Sequence, residues 1–255
     1  MIDSHCHLTD PRLGDQLDAV FAHATEAGVT GMVTIGVDPA DAACAIALCE
    51  KFPDRLRCAI GVHPNHCGVE PFESIDRIAE LATHPSVVAV GEMGLDYFHK
   101  MADRTRQRQF FERQLELAKK LNKPAVLHCR EAIGDALAIL KDHPGIPAVF
   151  HCFTGTVAEA EAIVAAGYLV GFTGAVTFKN NPHLREAVRI IPSQRILVET
   201  DGPYLSPEPM RKIKTCEPAF VRYTLEVVAT AKAKTLAEMD AVTTATTRAF
   251  YGWAE

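Results

Sequence analysis

No apolar run in these 255 residues approaches the roughly 18 that a membrane-spanning helix requires, so no membrane association is expected. Basic residues are also in short supply. Twenty-six Lys+Arg face 32 Asp+Glu, a formal net charge of -6. That balance excludes a basic nucleic-acid coat, and any polyanion must be met locally. The eight cysteines include no C-x-x-C pair, and the opening Met1-Ile2-Asp3-Ser4-His5 has neither the basic nor the apolar segment of a secretory signal. Reduced thiols in the cytoplasm are therefore expected, not a disulfide framework. No linker, repeat or low-complexity tract interrupts the chain. With 48% hydrophobic and 23% charged residues the composition is that of an ordinary globular protein, and residues 1–255 are expected to form a single domain.

What is present is alternation. Short runs rich in Val, Ile, Leu and Ala occur at Ile2–His7, Gly31–Val37, Arg57–His63, Val87–Glu92, Ala125–His128, Ala148–His151, Leu169–Phe172 and Ile196–Asp201. Most lack a polar–apolar alternation, which is how parallel strands buried on both faces read. Amphipathic stretches lie between them. In Arg104–Asn122, for example, Phe111, Leu115 and Ala118 recur at helical spacing. Eight strands alternating with helices predict an α/β fold, a single (β/α)8 TIM-type barrel, with a doubly wound open sheet as the alternative.

Polar residues fall at the carboxyl ends of these runs: His5 and His7, Glu92, His128, His151 and Asp201. In a parallel barrel those ends share one rim, where barrel enzymes keep their sites. Asp3, His5 and His7 alternate along one strand and so share a face. Burying so many ionisable groups without partners costs several kcal/mol each, in order of magnitude. Divalent cations remove that cost, since imidazole and carboxylate both ligate Zn, Mn and similar ions. Six donors are too many for one tetrahedral ion and suit two ions with positions open for water. Two such ions outweigh two carboxylates and leave a rim attractive to phosphate.

Six ordered segments then carry a resemblance: Asp3-Ser4-His5-Cys6-His7, Gly61-Val62-His63-Pro64, Gly91-Glu92-Met93-Gly94-Leu95-Asp96-Tyr97, His128-Cys129-Arg130, His151-Cys152-Phe153-Thr154-Gly155 and Glu199-Thr200-Asp201-Gly202-Pro203-Tyr204-Leu205. Together they resemble the TatD family of metal-dependent deoxyribonucleases, among the amidohydrolase-like barrels. The resemblance implies two divalent ions (Mg, Mn or Zn), with His5 and His7 on one, Glu92 bridging, His128 and His151 on the other, and Asp201 completing the set. It implies hydrolysis of DNA phosphodiester bonds by a metal-bridging hydroxide, acting 3'-5' on single-stranded ends. No obligatory protein partner is evident. Related barrels hydrolyse amides, lactones or phosphotriesters, and several of them bridge their ions with a carboxylated lysine where this chain has Glu92. Small-molecule hydrolysis is therefore the second reading.

Catalytic roles fall on Asp201, as the base that orients water and takes its proton, and on Glu92. Substrate contacts are expected from His63, Arg130, Lys214 and Tyr204. Asp3 is expected either to ligate or to brace a ligand histidine. Asp96 and Tyr97 either brace the site or touch substrate. Cys6, Cys129 and Cys152 each neighbour a ligand histidine and should point away from the site as small buried groups. The segment Lys212-Ile213-Lys214-Thr215-Cys216 departs from the family's usual arginine-glycine-lysine pattern and its asparagine, so the grip on substrate is where this chain should differ.

Overall fold

Each of the eight apolar runs forms a strand, as expected from their β-branched content and lack of alternation. In the computed structural model, which describes residues 1–253, they are β1 (Ile2–Cys6), β2 (Gly31–Gly36), β3 (Leu56–Ile60), β4 (Val87–Asp96), β5 (Ala125–Arg130), β6 (Ala148–Phe150), β7 (Leu169–Phe172) and β8 (Ile196–Val198). All belong to one sheet in the order β1 to β8. The pairs β1–β2, β3–β4, β4–β5, β5–β6 and β7–β8 are parallel. The first strand also meets the last: Cys6 bridges Gly202, the Asp201 amide donates to the His5 carbonyl at 2.9 Å, and the His7 amide to the Gly202 carbonyl at 2.7 Å. A sequence-ordered parallel sheet that returns to its own first strand is the (β/α)8 barrel class, so the open-sheet alternative falls.

The described residues divide into two compact units. One comprises Met1–Thr34 with the described chain from Cys152 onward, and the other Ile35–His151. In the second unit the helix Arg104–Leu121 positions two strand ends. It starts at Asp103, whose carboxylate caps the Arg106 amide, and it stops at left-handed Asn122. Its inner face buries Phe110, Phe111, Leu115 and Ala118, together with two glutamines. Gln114 accepts from the Val62 amide (2.7 Å) and donates to its carbonyl (3.0 Å), and Gln107 does the same for Asp96 (2.7 and 3.0 Å). These amides satisfy buried backbone groups where strand pairing has ended, and so fix the chain next to His63 and at Asp96.

In the first unit the C-terminal helix Leu236–Tyr251 starts in a capping box of Thr235 and Glu238 and ends at left-handed Gly252. The hydroxyl of its last residue, Tyr251, donates to the Ser4 carbonyl within β1 at 3.1 Å. Among the described residues no helix is long and apolar enough to cross a membrane.

Candidate metal centre

Strand geometry delivers the ligand side chains. In the first unit β1 carries His5, with His7 just beyond it, and Asp201 follows β8. The backbone bonds between these segments hold His5 Nε2 at 3.7 Å and His7 Nε2 at 3.3 Å from Asp201 Oδ1. One ligand atom from each of the three lies within 4.8 Å of the others. Asp201 has φ 55°, in the left-handed region where Asp is among the few tolerated non-glycine residues.

Asp3 lies beneath these ligands and does not join them. It is fully buried and accepts from the Thr200 hydroxyl (2.5 Å), the Thr200 amide (2.9 Å) and the His5 amide (3.3 Å). Of the two roles expected for it, the geometry supports the bracing one. Glu199, for which the sequence suggested no role, is equally buried. It accepts from the Ser4 hydroxyl (3.1 Å) and the Cys152 amide (2.5 Å), tying the segments on either side of the ligands together. Gly171 leaves room for it, since a Cβ there would stand 2.7 Å from Glu199 Oε2.

Burial pushes the Asp3 carboxyl up to about 8, against hydrogen bonds that pull the other way. The unfolded chain releases this proton near the ordinary value of 3.8, whereas the folded chain keeps it to about 8. Folding then binds a proton within that window, so stability falls as pH rises through it. In metal-free protein the urea midpoint should therefore drop between about pH 5 and pH 8, and Asp3→Asn should flatten the drop. Equal slopes in the two proteins would assign the titration to another group.

In the second unit Glu92 is the hub. Its Oε1 lies 2.7 Å from His151 Nε2, 2.8 Å from His128 Nδ1 and 3.3 Å from His63 Nε2. His63, Glu92 and His128 form a second group with ligand atoms within 4.8 Å of one another. His63 was expected as a substrate contact, and its ring stands in ligand range as well. Burial lowers the His63 ring to about 4, so it is neutral and able to donate a lone pair at neutral pH. The other nitrogen of His128 meets Asp96 at 3.0 Å, and Asp96 also meets His99 at 2.7 Å. Burial pushes Asp96 upward, but the hydrogen bonds from His128 and His99 outweigh it and hold the carboxyl well below its ordinary range. Asp96 is thus a brace for His128. The Tyr97 hydroxyl donates to Asp135 at 2.7 Å, away from the ligand groups.

Glu92 is not at a strand end, contrary to the sequence reading. β4 continues four residues beyond it to Asp96, with a register shift between Val90 and Met93. The local glycines explain the difference: Gly91 (φ 145°) and Gly94 (φ 137°) let the strand pass tightly over β5 and continue beyond Glu92.

The expected substrate contacts are more scattered. The Tyr204 ring, 47% exposed, lies 6.0 Å from the His7 ring and carries the Arg12 guanidinium at 4.6 Å. Arg130 is exposed and stacks on Phe98 at 4.2 Å. Lys214 is exposed in the loop after β8, in which Arg211 stacks on Phe178 at 3.9 Å. Cys6 is buried with its thiol on the Val33 carbonyl, and Cys216 is buried against Ala219 and Phe220. Among the described residues no cysteine joins a metal-capable group.

Imidazoles grouped around carboxylates are the donor set of divalent transition-metal sites, so the residues present fit such ions. A (β/α)8 barrel with histidine–carboxylate groups of this kind defines a metal-dependent hydrolase. The TatD related DNase family model matches residues 2–252, and the chain belongs to that family. It is 36% identical over 246 residues to the uncharacterized metal-dependent hydrolase YabD of Bacillus subtilis, covering 96% of each chain. It is likewise 36% identical to the 3'-5' ssDNA/RNA exonuclease TatD of Erwinia tasmaniensis, covering 98% of this chain and 99% of that one. The crystal structure of YJJV, a TatD homolog from Escherichia coli K12, superposes with a TM-score of 0.94 at 27% identity, covering 100% of this chain and 98% of that one.

Proposed function

We propose that residues 1–255 act as one hydrolase domain that cleaves phosphodiester bonds of DNA from single-stranded 3' ends. In this reading His5, His7, Glu92, His128, His151 and Asp201 hold two divalent ions, Mg, Mn or Zn. The observation that carries it is the two histidine–carboxylate groups, built around Asp201 and Glu92, in a chain of this family. Support for the substrate comes from relatives of nearly full length whose names specify 3'-5' action on single strands.

Bound ions would supply an activated water and positive charge for the phosphoryl oxygens. The chain's own residues do the rest. Asp201, 14% exposed, takes the proton of the attacking water on a carboxylate oxygen. Glu92, 2% exposed among three imidazoles, keeps those rings oriented. His63, neutral at neutral pH, holds the substrate and is not placed to protonate the leaving oxygen. Tyr204, Arg130 and Lys214 meet the strand outside the ligand groups.

End-labelled oligonucleotides give the test. With Mn2+ or Mg2+, a 5'-labelled single strand should shorten as a ladder from its 3' end, faster than the matching duplex. Hydrolysis of amide or lactone substrates with no oligonucleotide cleavage in any of the three metals would overturn the reading in favour of a small-molecule hydrolase.

A further inference from the structure

Several helix arginines are matched with acids three or four residues away: Arg77 with Glu80, Arg108 with Glu112, Arg113 with Glu116, Arg222 with Glu226. Two arginines of the second unit rest on aromatic rings instead. Arg130, at the end of β5, lies 4.2 Å over the Phe98 ring, and Arg104 lies 3.9 Å over the Tyr97 ring. Among the described residues neither makes an ion pair. Arg106 of the same unit also has no acid but spends its guanidinium on the Cys67 and Glu70 carbonyls, whereas Arg104 and Arg130 have only an aromatic face, a local exception in a chain of net charge -6. Arg104 also opens a helix, directly after the Asp103 cap, where a cation opposes the helix dipole. Helix stability does not account for it.

Exposure sharpens the exception. Phe98 is 52% exposed and Met101, in the same loop, 64%. Beside the pair, and not lined by Phe98 or Arg130 themselves, a cavity of about 410 Å³ opens between Tyr97, Lys100, Met101 and Arg104 on one hand and the carboxylates Asp96 and Asp103 on the other. The location follows from register. β4 and β5 pair with Gly94 opposite His128 and Asp96 opposite Arg130, and the Tyr97 amide donates to the Arg130 carbonyl at 3.0 Å. The aromatic–guanidinium pair therefore sits immediately beyond the segments that carry Glu92 and His128.

We propose that Phe98 and Arg130 form a stacking platform for one unpaired nucleobase of the substrate strand, with Arg104 meeting the phosphate beside it. The assignment rests on the nuclease reading above and adds a subsite to it. An exposed ring face accepts any base, whereas a paired base hides its face inside the duplex. Arg130 contributes a flat cation to the stack and N–H groups for phosphate. An apolar peptide would fit Phe98 and Met101 but not two unmatched cations.

Binding separates the subsite from the chemistry. In an Asp201→Asn background with Mn2+, fluorescence anisotropy of a labelled oligothymidylate of about twelve nucleotides reads affinity without cleavage. Phe98→Ala and Arg130→Ala should each weaken binding about tenfold, the loss expected for one stacked base. Phe98→Trp should keep or tighten it, and Ile190→Ala, an exposed apolar residue on another helix, should leave it unchanged. A strand of the same length with abasic sugars should bind weakly and ignore Phe98. Affinity within twofold of the parent for both alanine variants overturns the platform, as does failure of the parent to bind. If the strand binds through Phe98 while protein with intact Asp201 cuts no oligonucleotide, the platform stands and the nuclease reading fails.

Discussion

Asp201→Asn should leave a folded, metal-binding protein whose turnover falls roughly 10³-fold, the scale of a lost general base. The substitution is close to isosteric, and Asn tolerates the left-handed backbone that position 201 adopts. The hydrogen bond from the position-201 backbone amide to the His5 carbonyl and the contact with His7 can therefore survive. What is lost is the basic oxygen, since an amide cannot take a proton from water near neutral pH. The check is kcat on a single-stranded oligonucleotide, with circular dichroism and metal content measured on the same sample. A variant that folds, holds its metal and retains most of its turnover would remove Asp201 from the proton-transfer role.

Exhaustive chelation should abolish hydrolysis and also lower the thermal midpoint. The second effect follows from the same groups as the first. Glu92 is 2% exposed and His5 is fully buried, and a buried charge or imidazole cluster is costly without a partner of opposite sign. An ion that binds only the folded chain at about 100 times its Kd adds about 2.7 kcal/mol of stability. For a chain of this size that corresponds to about 5–10 °C in midpoint. Scanning calorimetry before chelation, after it, and after returning Mn2+ or Zn2+ should show the midpoint fall and recover together with activity. A chelated sample that cleaves at its original rate would dispose of both the ions and the mechanism.

The barrel was legible because its strands are buried on both faces and so read as unbroken apolar runs; Leu169–Phe172 is found with the bounds the sequence suggests. The ligand candidates were legible because ionisable residues at the ends of such runs have few structural uses. Two things were not. The extent of β4 was hidden by Gly91 and Gly94, whose lack of side chains signals a turn in sequence but serves close strand packing in space. The supporting residues were hidden because their partners are remote. Gln114 acts on Val62 across 52 residues, and Glu199 on Ser4 across 195. Nothing local distinguishes a glutamine that caps a strand end from one that faces water. Asp96 offered a signal, lying four residues from Glu92, but only contact with His128 reveals what it does.

The contact between the first strand and the last has a kinetic consequence. Ser4 leaves the ribosome long before Glu199 and Asp201 exist, so the amino-terminal strand emerges with one hydrogen-bonding edge unsatisfied and its histidines without their carboxylate. Contacts this far apart in sequence slow folding, because the intervening loop must close before they form. Hydrogen exchange during refolding should find the Asp201 and His7 amides protected in the final phase.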